Sequence, residues 1–299
     1  MNSLGWIIAI VFFVVTMILF VGTVALVTKL SRRGRHPIGK DVKLLRQPGE
    51  GLRERLEVID ESSFDEIIKG LVVPSLAFLI PLLVLYWLPA GRHFWAVVAL
   101  AGVAYLFSVG YRSWRLCRLI TERRAYKLGL VGERAVADCL EPLKQRGYYV
   151  FHDAPAQGAK KAFNLDHIVV GPTGLFCIET KARRKNAAKD GGDDYKIGFD
   201  GGALTWPRGR DEAPVRQVLE NAKWLQNWIH QRLGRRIEVT PMITIPGWYT
   251  DETLRGNLRV LSHKRLRYYI QQGPPLDAES VKLVTLQLDS LCRDVPCES

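Results

Sequence analysis

Two acids stand where the flanking sequence favours apolar residues. In FNLDHIVVGPTGLFCIETKARR, residues 163–184, two runs of strand formers, Ile168–Val170 and Leu175–Ile178, flank the turn Gly171-Pro172-Thr173-Gly174, and beside them lie Asp166 and Glu179. If the runs pair as an antiparallel hairpin with Gly171 facing Gly174, Asp166 lies opposite Glu179, with Cβ atoms ~5 Å apart on one face. Lys181 shares that face, because side chains alternate along a strand. Two carboxylates this close repel each other unless one is protonated or a cation lies between them. Magnesium is usually held by one or two carboxylates together with waters and substrate phosphate, and suits such a pair. A neighbouring lysine adds a charge that orients water and offsets charge developing on the phosphate. The chemistry implied is hydrolysis of a phosphodiester assisted by Mg2+ or Mn2+. The competing reading is a structural ion pair on an exposed sheet face.

Further polar residues fall into place around this pair. Glu133 precedes Val136 and Leu140 at helical spacing, at the edge of an apolar stripe completed by Cys139 and Leu143. Its other reading is an acid favoured by a helix N-terminus. Gln217 and Asn221 lie four apart and share a helix face, so two amides can reach one ligand, or they line a solvated face. Arg183, Arg184 and Lys185 directly follow the lysine and read as a nucleic-acid backbone contact or as a solvated loop. His167 alternates to the face opposite Asp166 and reads as a packed histidine rather than a ligand. Trp224 and Trp228 read as packing.

The elements that must position these residues form an α/β pattern. Periodicity predicts a helix from about Lys127 to Gln145, with Gly147 just past its end, then strands at Tyr148–His152, Leu165–Val170 and Leu175–Thr180. A charged excursion, Arg183–Gly202, precedes a short strand at Leu204–Trp206. A long helix, Pro214–Leu233, opens with proline and closes at Gly234. A strand at Ile237–Ile245, a short strand at Leu258–Leu261, and helices near Lys264–Gln272 and Asp277–Leu291 complete the chain.

With 47% hydrophobic and 24% charged residues, the chain has folded-domain composition rather than that of a disordered tail. The average conceals three apolar runs, Gly5–Val27, Leu71–Leu88 and Phe94–Tyr111, each near the ~20 residues a helix needs to span a bilayer. Lys and Arg crowd after the first run and after the third. The positive-inside rule therefore predicts a multi-pass inner-membrane protein with its N-terminus outside and its soluble part cytoplasmic, the lipid bilayer being one partner. A cleaved signal peptide is disfavoured by the lack of a basic start. The five cysteines show no C-x-x-C spacing and read as reduced small hydrophobes. The net charge of +12 fits anionic lipid as well as a polyanionic ligand. The organisation expected is a first transmembrane helix at 1–28, a cytoplasmic loop without chemistry at 29–70, a transmembrane hairpin at 71–111, a basic linker at 112–127, a catalytic domain at 128–262 and a helical tail at 263–299.

Taken together, Gly132-Glu133, Leu165-Asp166-His167-Ile168-Val169-Val170, Gly174-Leu175-Phe176 with Ile178-Glu179-Thr180-Lys181, and Pro214 with Gln217 and Asn221 resemble the NERD (nuclease-related) domain. That family is a branch of the PD-(D/E)xK restriction-endonuclease-like superfamily. The resemblance covers roughly Leu128 to Ile245. It implies a restriction-endonuclease-like core, a mixed sheet flanked by helices, here preceded by three transmembrane helices. It further implies that Asp166 and Glu179 hold the metal with the Thr180 carbonyl, that Lys181 is the catalytic lysine, that Glu133 is the accessory helix acid, and that Gln217 lies near the scissile phosphate. The stretch after Lys181 is longer and more charged than the family's simplest pattern. The function expected is a membrane-anchored nuclease acting on DNA or RNA; the alternative is a catalytically silent binding module on a membrane anchor.

Overall fold

The computed structural model describes residues 15, 22–23, 43–87, 94–158, 162–185, 195–250 and 254–296. The chain forms two compact units, Met1–Pro37 with Glu57–Arg123, and Ile38–Leu56 with Arg124–Ser299. The boundaries fall inside two long helices, α1 (Glu50–Trp87) and α2 (Phe94–Leu140), which follow a short strand, β1 (Lys43–Leu45).

In the first unit both helices are long and apolar enough to cross a membrane, and only 6% of each apolar window is buried. Among the described residues two such helices are present where three were expected; the run Gly5–Val27 lies outside the described residues except for Val15, Gly22 and Thr23. Outside the apolar stretches the two helices are tied by charge. Buried Glu66 accepts from Arg112 at 2.9 Å and pairs with Arg115 at 3.3 Å, and Arg123 bonds Asp60. The basic stretch 112–127 continues the apolar run as one helix, as its position after that run leads one to expect, and lies in the middle of α2.

The second unit is α/β. A 3-10 helix (Glu141–Arg146) replaces the last turn expected of the preceding helix, because Pro142 removes a backbone donor, and Gly147 ends it in the left-handed conformation. There follow β2 (Tyr149–Gln157), β3 (Ala162–Gly171), β4 (Gly174–Thr180), β5 (Lys196–Phe199), β6 (Leu204–Trp206), β7 (Gly209–Asp211) and α3 (Ala213–Leu233). The chain continues through β8 (Val239–Thr244), β9 (Tyr249–Thr250), β10 (Leu254–Arg255), β11 (Leu258–Leu261), α4 (Leu266–Ile270), α5 (Ala278–Cys292) and β12 (Arg293–Pro296).

The main sheet has six strands in the order β10-β11-β8-β4-β3-β2, parallel at β4–β8 and β8–β11 and antiparallel elsewhere. This is the mixed sheet expected. Strand β4 is buried along its whole length, which explains its near-continuous apolar run. Leu175 and Cys177 pack against Ala222, Leu225 and Ile229 of α3 and Val284 and Leu288 of α5. Phe176 and Ile178 pack on the other face against Val136 and Leu140 of α2 and Leu266 and Ile270 of α4. The expected C-terminal tail thus supplies core. The excursion after Lys181 is also structured in part: β5, β6, β7 and β9 make a four-stranded sheet whose Ile197, Leu204 and Trp206 pack with Val215 and Val218 of α3.

The expected loop at 29–70 is corrected as well. It carries β1, which pairs antiparallel with β12, and the first five turns of α1, and its residues 43–56 belong to the second unit.

Candidate active site

The β3–β4 hairpin has the register read from its turn. Gly171 faces Gly174, and the ladder runs to His167 opposite Ile178, which leaves Asp166 and Glu179 as the next opposed residues. Ile168 and Val170 on β3, and Leu175 and Cys177 on β4, face the α3 side. Alternation therefore turns Asp166 and Glu179 to α3 too.

Glu179 is 2% exposed. Its Oε1 accepts from Lys181 Nζ at 2.6 Å and its Oε2 from Asn221 Nδ2 at 3.1 Å. Lys181 Nζ also donates to Gln217 Oε1 at 3.0 Å. The two amides of α3 thus reach opposite ends of one ion pair, which excludes the solvated-face reading of Gln217 and Asn221. Asp166 Oδ2 accepts the Thr180 backbone N–H at 2.7 Å. Thr180 lies opposite Thr244 of β8, and its buried Oγ1 has no partner among the described residues.

The helix acid arrives through a close approach. A Cβ on Gly132 would lie 2.8 Å from Ala182 Cβ and 3.7 Å from Thr180 Cγ2, so only glycine lets α2 touch the end of β4. The next residue, Glu133, is buried, and among the described residues its Oε2 has no hydrogen-bond partner.

Burial and mutual repulsion act together on these acids. Glu133 is pushed up to about 8, by burial first and then by Asp153 and Glu179, against the Gly49 backbone amide and Lys181. Asp166 is raised well above the usual carboxylate range by burial, Glu179 and Glu133. Glu179 is raised by burial, with Lys181 and Asn221 opposing. Burial works against the charged Lys181, but Glu179 and Asp166 outweigh it and its pKa rises. The centre therefore favours protonated acids over an uncompensated set of carboxylates.

A divalent cation fits this donor set: hard carboxylate oxygens, one of them unpartnered among the described residues, held toward protonation by burial first and, at Glu133 and Asp166, by neighbouring acids as well. Among the described residues no group of three or more His, Cys, Asp or Glu side chains is arranged to hold a metal. A two-carboxylate magnesium site needs fewer than that.

The remaining expected residues lie around the centre. Arg183 is engaged by Asp211, its guanidinium lies 4.2 Å from the Trp206 ring centroid, and its carbonyl accepts from Trp248 Nε1 at 3.0 Å. Arg184 is exposed, and Lys185 Nζ lies 5.7 Å from the Trp248 ring. His167 bonds His152, Nδ1 to Nδ1 at 2.8 Å, and burial lowers both pKa values, that of His152 to about 4. It is the packed histidine expected. Trp224 and Trp228 stack on each other with centroids 6.1 Å apart and lie against the core.

Two residues near the centre escape sequence reasoning, Asp153 and Arg46. Asp153 is buried, has φ +48°, and accepts from Arg46 Nη1 at 2.6 Å, the Gly51 N–H at 2.9 Å and Asn164 Nδ2 at 2.9 Å. It was legible by the same rule that singles out Asp166 and Glu179, an acid amid strand formers. The strand seemed to stop before it because facing breaks there: Phe151 and Ala154 lie in the same core, as do Leu165 and Ile168 opposite. Both strands reset together, so the pairs on either side keep their register.

The family model for the nuclease-related domain, NERD, matches residues 128–246. No curated protein and no solved structure matches the chain.

Proposed function

We propose that the nuclease-related span at residues 128–246 is the catalytic part of a membrane-anchored phosphodiesterase that cleaves DNA with Mg2+ or Mn2+. The observation that carries this reading is the convergence of Asp166, Glu179 and Glu133, all with raised pKa values, around Lys181 and the amides of Gln217 and Asn221.

Asp166 and Glu179, with the Thr180 carbonyl, would hold the cation, which supplies Lewis-acid polarisation of the phosphate when bound. Asn221 fixes one carboxylate oxygen of Glu179 and leaves the Lys181 side of it adjustable. Lys181 carries its charge to the phosphate and orients water, with Gln217 restraining the ammonium. Glu133, its pKa raised to about 8 by burial and neighbouring acids, would exchange protons with the reacting water. Arg184 and Lys185 contact the nucleic-acid backbone, whereas Arg183, committed to Asp211 and Trp206, shapes the loop that presents them.

The two apolar helices and the basic residues that follow Phe94–Tyr111 support an inner-membrane anchor with the catalytic unit cytoplasmic and the N-terminus outside. The test is calorimetric titration of the full chain in detergent with Mn2+ and Mg2+, beside Asp166→Ala and Glu179→Ala, followed by cleavage assays on plasmid DNA and on RNA. Metal binding lost in both variants, with cleavage that needs the metal, is the expected result. A wild-type protein that binds no metal even with duplex present defeats this reading.

A second reading is favoured by one detail: both Glu179 oxygens are already bonded within the protein, as in a structural ion pair. A silent binding module would keep its DNA affinity in Lys181→Ala and show no turnover in any form.

A further inference from the structure

We propose that Arg46 and the turn Gly49–Gly51 are positioning elements of the candidate catalytic centre, which is thereby completed by a segment outside the nuclease-related span. The effect on turnover rests on the nuclease reading; the clamp itself does not.

The segment is anchored first by backbone. β1 pairs with β12, and the Arg46 N–H donates to the Cys292 carbonyl at 3.0 Å. The Arg46 guanidinium then bridges two acids, Nε to Asp294 Oδ1 at 2.7 Å and Nη1 to Asp153 Oδ2 at 2.6 Å, with the side chain 13% exposed. Among the described residues Asp153 is the one non-glycine residue with positive φ. Such a backbone persists only where its surroundings over-determine it. Here those surroundings are Arg46, the Gly51 amide and Asn164.

The turn then packs onto the helix that carries Glu133. Gly49 has φ +72°, and a Cβ there would lie 2.5 Å from Leu130 Cδ1 and 3.5 Å from Glu133 Oε2. A Cβ on Gly51 would lie 2.8 Å from Asn164 Nδ2, and one on Gly129 3.1 Å from Leu52 Cδ1. Three glycines thus remove the side chains that would hold this segment away. Within one turn the Gly51 amide binds Asp153 and the Gly49 amide acts on the Glu133 carboxylate. Glu133 and Asp153 repel each other from different elements, and Asp153 sits in β2 between the pairs His152–His167 and Ala154–Leu165. Arg46 supplies the charge that lets the two acids remain adjacent. Gly51 belongs to the first turn of α1, so the clamp moves with the start of that helix.

The test compares wild type, Arg46→Ala, Arg46→Lys and the distant control Arg235→Ala, all as full chain in detergent. Cleavage kinetics are measured well below the unfolding temperature, and amide exchange is followed by mass spectrometry. Arg46→Ala is expected to lower kcat by roughly 10- to 100-fold, the cost of about an ångström of misplacement, with KM for DNA changed less than about threefold. Arg46→Lys recovers part of it, since one ammonium serves one of the two carboxylates. Exchange at 129–136 and 150–155 rises about tenfold or more in Arg46→Ala, with 239–244 unchanged. An unaltered kcat, or exchange rising evenly across the unit, overturns the proposal. If wild type cleaves nothing, or Asp166→Ala still cleaves, the nuclease reading fails instead; exchange then decides, and protection at 129–136 and 150–155 equal to wild type overturns the clamp.

Discussion

Glu133→Gln tests the electrostatics of the centre without requiring any substrate. In the folded protein the Glu133 carboxyl is pushed from its usual 4.5 to about 8. Between those values the folded state binds the proton and the unfolded state does not, so stability falls as pH rises through that window. At 1.36 kcal/mol per pH unit the whole rise corresponds to about 5 kcal/mol, an upper bound. Asp166 and Glu179 interact with Glu133 and share that total, and glutamine leaves a polar atom where Oε2 has no partner among the described residues. The protonated wild-type carboxyl leaves the same atom unpaired, so this cost largely cancels between the two proteins. A net gain of about 2–3 kcal/mol for the variant is expected at pH 8.5, shrinking to zero or slightly below near pH 4.5. For a unit of this size that is roughly 5–10 °C in unfolding temperature. The assay is thermal unfolding of the full chain in detergent and EDTA, followed by tryptophan fluorescence from pH 4.5 to 9. A difference between wild type and variant that does not change with pH refutes the reasoning, because the titrating group is then not Glu133. Added Mg2+ should raise wild type at pH 8.5 by about 2.7 kcal/mol at a hundred times its Kd and so narrow the gap.

Three further outcomes follow from the same geometry. Lys181→Met should retain Mn2+ binding by calorimetry and lose roughly 100- to 1,000-fold in kcat, the cost typical of removing one preorganised charge or donor; lost metal binding would reassign Lys181 to holding the carboxylates. Asn221→Ala leaves the buried Glu179 Oε2 without its donor and should cost about 1–3 kcal/mol in denaturant unfolding, whereas Trp228→Phe, at the edge of the core, should cost less. Gly132→Val forces α2 off the end of β4, because its Cβ alone would lie 2.8 Å from Ala182 Cβ; turnover should drop more than in the nearby Ala135→Val, with metal binding kept.

Much of the centre was legible because it sits in regular structure. The Gly171–Gly174 turn sets the register of β3 against β4, and a period of two then places Asp166, Glu179 and Lys181 on one face. Likewise the spacing of Gln217 and Asn221 on α3 brings both to the Glu179–Lys181 pair. What was not legible lies where periodicity breaks or where partners are far apart in the chain. Asp153 carries the same signal as Asp166, an acid amid strand formers, but its place in β2 was not legible, because β2 and β3 both change face at this level and no local pattern signals a reset shared by two strands. Arg46 sits in a polar stretch with no periodic signal, and its meaning comes from Asp153 and Asp294, far along the chain. Of the four-stranded sheet, β6 was legible at Leu204–Trp206, whereas β5, β7 and β9, at two to four residues, are too short to rise above the charged loop that surrounds them.

Pairing of β1 with β12 joins Lys43 to Pro296, and this shapes the order in which the protein can be made. A ribosome delivers residues 43–56 early, then both apolar helices, then every candidate active-site residue, and last the strand that holds the first segment down. Contacts of such sequence separation form late, because the chain entropy lost in closing the loop is repaid only at the end. Until β12 emerges, Arg46 lacks Asp294, β1 lacks its partner strand, and the turn at Gly49 has no fixed base from which to hold Glu133. A chain truncated by premature termination would therefore carry the three site carboxylates and still lack an assembled centre. Topology alone thus delays assembly of the centre until β12 has emerged.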